Sequence, residues 1–191
     1  MGSEDRVTAA FRAVPRANFL PPGERGRAAY DGPIAIGHGQ TNSQPRTVAD
    51  MLRLLDVRPG QRVLDVGAGS GWTTALLAWI VGPEGSVLGL ERVASLAEFG
   101  AANLAAAGMP WARLTLADPV ALGATDHAPF DRILVSAEPK TLPHSLVEQL
   151  RGDGVMVIPV AGRMLRVVRT ERGHDVTTHG HYRFVPLITD G

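Results

Sequence analysis

The amino-acid sequence predicts a doubly wound α/β fold: a mostly parallel sheet, with antiparallel strands at its C-terminal end and a loop-rich cap ahead of it. Three observations predict it. Short β-branched runs alternate with longer helical ones, the pattern of parallel strands joined by helical crossovers. Glycine or proline separates successive runs. A glycine cluster, LDVGAGSGW (64–72), stands where the first of these strands hands over to a helix.

The elements follow in order. About forty residues rich in Pro and Gly, including VPRANFLPPGERG and YDGPIAIGHG, suit the cap. Val48, Met51, Leu52 and Leu55 keep the i, i+3, i+4, i+7 spacing of an amphipathic helix, which Pro59-Gly60 stops. Pro45 fits its first turn, and Ser43 or Gln44 falls near its cap. QRVLDVG (61–67) reads as a buried strand and WTTALLAWIVG (72–82) as a helix, with Trp72 and Trp79 both facing the core. SVLGLE (86–91) is the second strand, and VASLAEFGAANLAAAG (93–108) a helix ending at Gly108. ARLTLA (112–117) and DRILVSA (131–137) are the third and fourth strands. TLPHSLVEQL (141–150) is read as a helix, GDG as a turn, and VMVIPV (155–160) as a strand. MLRVVRT and HDVTTHGHYRFVPL alternate with period two, as antiparallel strands do, and Arg163, Arg166, Arg169 and Arg172 punctuate them like a solvated edge. The reading is one domain over 1–191, with 1–45 as cap and acceptor segment and 46–191 as the ligand-binding core.

Composition narrows the function classes. Nineteen basic side chains balance nineteen acidic ones, so a nucleic-acid partner held by a charge footprint is not expected. The absence of cysteine removes disulfides, thiolate nucleophiles and Cys-ligated zinc. The N-terminal MGSEDRVTAAFRAVPR is charged and amphipathic, unlike a signal peptide or membrane span, so a soluble cytoplasmic protein is expected. His179 and His181 alternate on one strand face, but no third ligand has suitable spacing, so no metal site is expected. Ser43 with His38 and an aspartate fails as a hydrolytic triad, because no G-x-S-x-G elbow surrounds any serine.

Gly67, Gly69 and Gly71 permit a tight turn and close approach of backbone to ligand, while the helix that follows offers free N–H groups. The bland alternative is a turn and nothing more. Two acids favour a nucleoside-type ligand. Glu91 ends the second strand, where a doubly wound fold places the carboxylate that accepts from ribose hydroxyls. Asp118 ends the third and is placed to reach an adenine amino group. The spacing is G-x-G-x-G, with Asp65 inside the strand before it, and it resembles the first motif of S-adenosylmethionine-dependent methyltransferases.

The run GHGQTNSQP (37–45) carries more polar side chains than one helix cap requires. With its flanks, AYDGPIAIGHGQTNSQPRTVADML is similar to a stretch of the protein-L-isoaspartate O-methyltransferases. VPRANFLPP, RVLDVGAGSGW, HAPFDRILVSA, LPHSLVEQLRGDGVMVIPV and YRFVPL extend the likeness over nearly the whole chain. The resemblance implies a Rossmann-like methyltransferase sheet and methyl transfer from S-adenosyl-L-methionine, leaving S-adenosyl-L-homocysteine. The acceptor it implies is the α-carboxylate of L-isoaspartyl residues in damaged proteins and peptides, whose ester cyclises and reopens partly as aspartate. It implies cofactor contacts at Asp65, Gly67, Ala68, Gly69, Ser70, Gly71, Glu91, Arg92 and Asp118. Acceptor contacts fall to Ile36, His38, Gln40, Thr41, Ser43, Phe184 and Val185, with Ser43 and Thr41 as the catalytic pair. A carboxylate is ionised at neutral pH, so no general base is needed, and a hydroxyl-bearing helix mouth suits an anion. The partners expected are isoaspartyl peptides and proteins, with no nucleic acid or membrane, and the chain is expected to be a monomer.

Three positions depart from the family pattern. Pro119 removes an N–H beside Asp118; Glu138 stands where many relatives are rich in alanine; Asn42 stands where an apolar residue is common. Glu138 either repels an anionic acceptor or points into solvent. These departures leave open a carboxyl O-methyltransferase acting on a biosynthetic peptide or small molecule, and a non-catalytic nucleoside-binding module is the other alternative.

Overall fold

The computed structural model describes residues 5–188; the first four residues of the charged N-terminal stretch lie outside it. Helix α1 (Arg6–Ala13) opens the cap, and the short strands β1 (Ile34–Gly37) and β2 (Gln40–Asn42) pair as a hairpin. Helix α2 (Pro45–Leu55) follows, then β3 (Arg62–Val66), α3 (Trp72–Val81), β4 (Ser86–Glu91), α4 (Ala94–Ala106) and β5 (Ala112–Leu116). The chain continues through β6 (Phe130–Val135), α5 (His144–Val147), β7 (Leu150–Val160), β8 (Arg163–Thr170) and β9 (Gly173–His181).

Seven strands form the main sheet in the order β5-β4-β3-β6-β7-β8-β9. The first five pair in parallel and the last two are added antiparallel. The chain moves outward from β3 to β5, then returns to β6 on the other side of β3. The C-terminal ends of β3 and β6 are therefore the switch point, where open α/β sheets place their ligand crevice. Alternation along each strand divides the core in two. Val63, Val87, Leu134 and Val157 face α1 to α4, while Leu64, Leu88, Ile133 and Met156 face α5 and the loop after β5.

Several sequence expectations change. The cap is more regular than a loop. Asp5 accepts from Val7 N–H to start α1, which buries Val7 and Ala10. The helix expected over 141–150 shrinks to His144–Val147, because Gln149 is buried and spends its amide on Leu122 and Ser145 carbonyls and its oxygen on the Ala124 N–H. The GDG segment lies inside β7 as an irregularity: Phe130 pairs with Leu150 but Arg132 with Val155, and Asp153 takes φ 62°. The last strand ends at His181, so YRFVPL crosses back over the sheet as a strap. Trp72 is buried as expected, but Trp79 is 38% exposed.

The arginines are a solvated edge only in part: Arg163 and Arg172 are exposed, but β8 lies between β7 and β9, and Arg166 and Arg169 are half-buried. Arg166 Nε donates to the Leu54 carbonyl at 3.0 Å, and Arg169 Nη1 to the carbonyls of Glu148 and Leu150. They tie helix and loop ends to the sheet.

Candidate functional site

The glycine loop leaves β3 at Gly67 and enters α3 at Trp72. Gly71 has φ 87°, and a Cβ there would stand 2.9 Å from the Gly100 carbonyl, so any larger residue would push α4 off the loop. Gly69 turns its N–H to Glu91 Oε2 at 2.8 Å, and Glu91 Oε1 accepts from Val93 N–H at 2.9 Å. The buried Glu91 carboxylate thus braces the loop against the entry to α4. Each of its oxygens retains a second lone pair for a ligand hydroxyl.

Gly67, Gly69, Glu91, Arg92 and Asp118 line one cavity of about 990 Å³, counting the space open to solvent. Val66, Leu90 and Leu122 supply apolar wall. Asp118 accepts N–H bonds from Val120 at 2.7 Å and Ala121 at 2.9 Å, and these hold its carboxylate below the usual range. Pro119 sits inside this small turn, so its missing N–H is not needed there. Asp65 is fully buried below the loop and does not line the cavity. Its Oδ2 accepts from the hydroxyls of Thr73 and Thr74, both at 2.7 Å, and its Oδ1 has no protein partner. Burial, opposed by those hydroxyls and helped by Glu91, pushes its pKa up to about 6. Ala68 and Ser70 are buried under the loop and line a smaller adjoining pocket of about 270 Å³.

The β2–α2 junction also lines this cavity. Gln40, Thr41 and Ser43 line the main cavity, and Thr41 and Ser43 also line the adjoining pocket beside Gly67 and Gly69. Asn42, between them, is buried and lines only the adjoining pocket. Its Oδ1 accepts from Arg16 Nε at 2.7 Å and its Nδ2 donates to Ser70 Oγ at 3.1 Å. Arg16, also buried, donates further to the carbonyls of Tyr30, Gly32, Asn42 and Ser43. A cation buried among carbonyls holds the β2–α2 turn from behind and, through Asn42, joins it to the glycine loop.

Ser43 does not cap α2. Gln44 occupies the cap position without a side-chain bond, and Asp31 accepts from the Arg46 N–H at 3.1 Å. The helix mouth is satisfied by a distant carboxylate, which leaves the Ser43 hydroxyl to the cavity. Thr41 lies on a strand, not at a helix N-terminus. Ile36 is buried beneath the hairpin, its Cδ1 3.1 Å from where a Gly69 Cβ would stand, so it seats the hairpin on the loop. His38 occupies the hairpin tip at φ 54°, with its Nε2 and Ser95 Oγ at 2.8 Å, so it faces α4 and not Ser43. A Ser-His pair at Ser43 is not formed.

At the third side lies the strap. Val185 lines the cavity, whereas Phe184 packs against the core of the sheet. Arg92 Nη1 donates to the Ile188 carbonyl at 3.3 Å. Glu138 is half-buried and does not line the cavity: its Oε1 accepts from Gly162 N–H at 2.8 Å and its Oε2 from Phe184 N–H at 3.4 Å. His179 bonds Thr177, and among the described residues no group of three or more His, Asp or Glu is arranged to hold a metal.

Sequence reasoning missed Arg16, Ser136 and Ser95. Ser136 follows β6 at the switch point and lines both pockets, a position legible from the predicted strand end. Arg16 and Ser95 carried no local signal, since their partners lie far along the chain.

A profile of the family described as protein-L-isoaspartate(D-aspartate) O-methyltransferase matches residues 1–191. A protein-L-isoaspartate O-methyltransferase of Methanopyrus kandleri is 45% identical over 189 residues, covering 96% of this chain and 84% of the relative. One from Aeropyrum pernix is 46% identical over 191 residues, covering 96% of this chain and 72% of the relative. Among solved structures, a Plasmodium falciparum protein described under the same activity, in complex with S-adenosyl-L-homocysteine, superposes with a TM-score of 0.85. It is 26% identical, over 99% of this chain and 93% of the other.

Proposed function

The chain belongs to the protein-L-isoaspartate(D-aspartate) O-methyltransferase family, and from that premise we propose that it methylates the α-carboxylate of L-isoaspartyl residues in damaged proteins and peptides. One observation carries the reading: the glycine loop with Glu91 and the hydroxyl-bearing turn at Thr41 and Ser43 line one and the same cavity.

The residues present fit S-adenosyl-L-methionine. The glycine loop keeps backbone at the cavity wall at Gly67 and Gly69, Glu91 and Asp118 offer carboxylate oxygens for hydroxyl and amino groups, and the walls between are apolar. Anionic side chains also suit a cationic cofactor. When bound, the cofactor supplies a methyl group activated by a sulfonium charge. The chain's task is to orient the acceptor. The Ser43 and Thr41 hydroxyls donate to the acceptor carboxylate and fix which oxygen points across the cavity. That carboxylate is ionised at neutral pH, with an unperturbed pKa of roughly 4, so no base must remove a proton. Arg16, behind the turn, supports the anion by its charge while its donors stay occupied by carbonyls. The strap and the hairpin cover the cavity from two sides and reduce water access.

The departures from the family pattern give no support to a different acceptor: Glu138 does not line the cavity, and Asn42, which lines the adjoining pocket, spends its side-chain amide on Arg16 and Ser70. The balanced charge of the chain supports a protein that handles no nucleic acid, and no helix among the described residues is long and apolar enough to cross a membrane. We carry the monomeric state as part of the same proposal. The test compares methyl transfer to an isoaspartyl peptide and to its aspartyl twin. Selective methylation of the isoaspartyl peptide is expected. Equal or reversed rates would overturn the acceptor assignment, and cofactor binding without turnover would leave a binding module.

A further inference from the structure

We propose that Glu138 is a positioning residue for the acceptor, one that staples the C-terminal strap against the cavity mouth without touching acceptor or cofactor. The proposal rests on the function argued above for what enters the cavity.

Glu138 follows β6 and clamps three segments of chain. Its N–H donates to the Val185 carbonyl at 2.8 Å and its carbonyl accepts from Leu187 N–H at 2.9 Å, so it bridges Pro186 in parallel. Its carboxylate reaches both sides of that bridge, to Phe184 N–H within the strap and to Gly162 N–H in the β7–β8 turn. The Gly162 carbonyl in turn accepts from Tyr182 N–H at 3.0 Å, at the start of the strap. The strap's outer anchors are Tyr182 Oη to Asp50 at 3.2 Å and Arg92 to the Ile188 carbonyl. Between them, among the described residues, its hydrogen bonds from Phe184 to Leu187 go to Glu138. Val185, Pro186 and Leu187 all line the cavity, so whatever fixes their backbone fixes that wall.

The choice of side chain follows from the donors it meets. Two backbone N–H groups converge on it, and a carboxylate accepts both without presenting a donor. Glutamine keeps one acceptor and turns an NH₂ against the other N–H; alanine leaves both unmet. In either variant the main-chain bonds of residue 138 persist, so the substitutions loosen the staple without removing the bridge.

The experiment measures steady-state kinetics of E138A and E138Q with an isoaspartyl peptide, calorimetric affinity for S-adenosyl-L-homocysteine, and amide hydrogen exchange of the intact chain. The expected result is a KM for peptide raised about tenfold in E138A and less in E138Q, with kcat and the homocysteine Kd each within about twofold of the parent. Exchange at Gly162, Phe184 and Leu187 should quicken at least about tenfold while β3 and β4 amides hold. An unchanged KM, or a cofactor affinity that falls in parallel with it, would overturn the proposal. If the parent chain does not methylate isoaspartyl peptide, the functional reading fails by itself. The exchange data then decide the staple: loosening confined to Gly162 and the strap upholds it, and unaltered exchange rejects it.

Discussion

Asp65 should make the ligand-free protein less stable as pH rises through 6, and replacing it with asparagine should remove that dependence. Its carboxyl is fully buried, with two threonine hydroxyls on Oδ2 and no protein partner on Oδ1. Burial dominates, and the pKa stands at about 6 against an ordinary 3.8. The folded state therefore binds this proton more tightly than the unfolded chain does. The stabilisation is complete below the unfolded value of 3.8 and is lost as pH rises through about 6. At ~1.4 kcal/mol for each tenfold change in proton affinity, the loss amounts to about 3 kcal/mol. Asparagine is the neutral isostere, and like the protonated acid it presents a donor at the Oδ1 position, so the cost of that donor cancels at low pH. Urea unfolding of both proteins, free of cofactor, at pH 5, 6, 7 and 8 gives the difference in stability. It should shift by about 1.4 kcal/mol in favour of D65N across that range, steepest near pH 5 and flat above pH 7, the rest of the loss lying below pH 5. A difference that stays flat with pH would refute the reasoning.

Three further outcomes follow from the site. S43A should lower kcat/KM for an isoaspartyl peptide about 10- to 100-fold, the loss of one hydrogen bond to a charged group, while calorimetry shows the affinity for S-adenosyl-L-homocysteine unchanged. E91A should weaken that affinity by about 100-fold, because it removes the carboxylate facing the ligand and releases the N–H groups of Gly69 and Val93. N42L should destabilise the protein by about 1–3 kcal/mol in urea, since a buried Arg16 Nε and Ser70 Oγ both lose their partner. An N42L protein as stable as the parent would show that the Arg16 network holds the turn without its amide.

The sequence by itself determined the main sheet, the α2 face and the glycine loop. Those signals are local: a buried parallel strand such as β4 carries a continuous apolar run over residues 87–90, α2 buries the four residues its spacing selects, and three glycines admit the positive φ of the loop. It also placed Glu91, Thr41 and Ser43, because strand ends and loop positions are set by counting along the chain. Only the tertiary structure decided what those residues do with their hydrogen bonds. Gln44, one of the two expected caps, took that position without a side-chain bond and Asp31 met the Arg46 N–H instead, Asn42 turned inward to Arg16 and Ser70, and Glu138 found Gly162 and Phe184. The partners of Asn42 and Glu138 are 24 or more residues away. A buried polar group must be satisfied by whatever the fold brings beside it, and residue order carries no direct record of that neighbour.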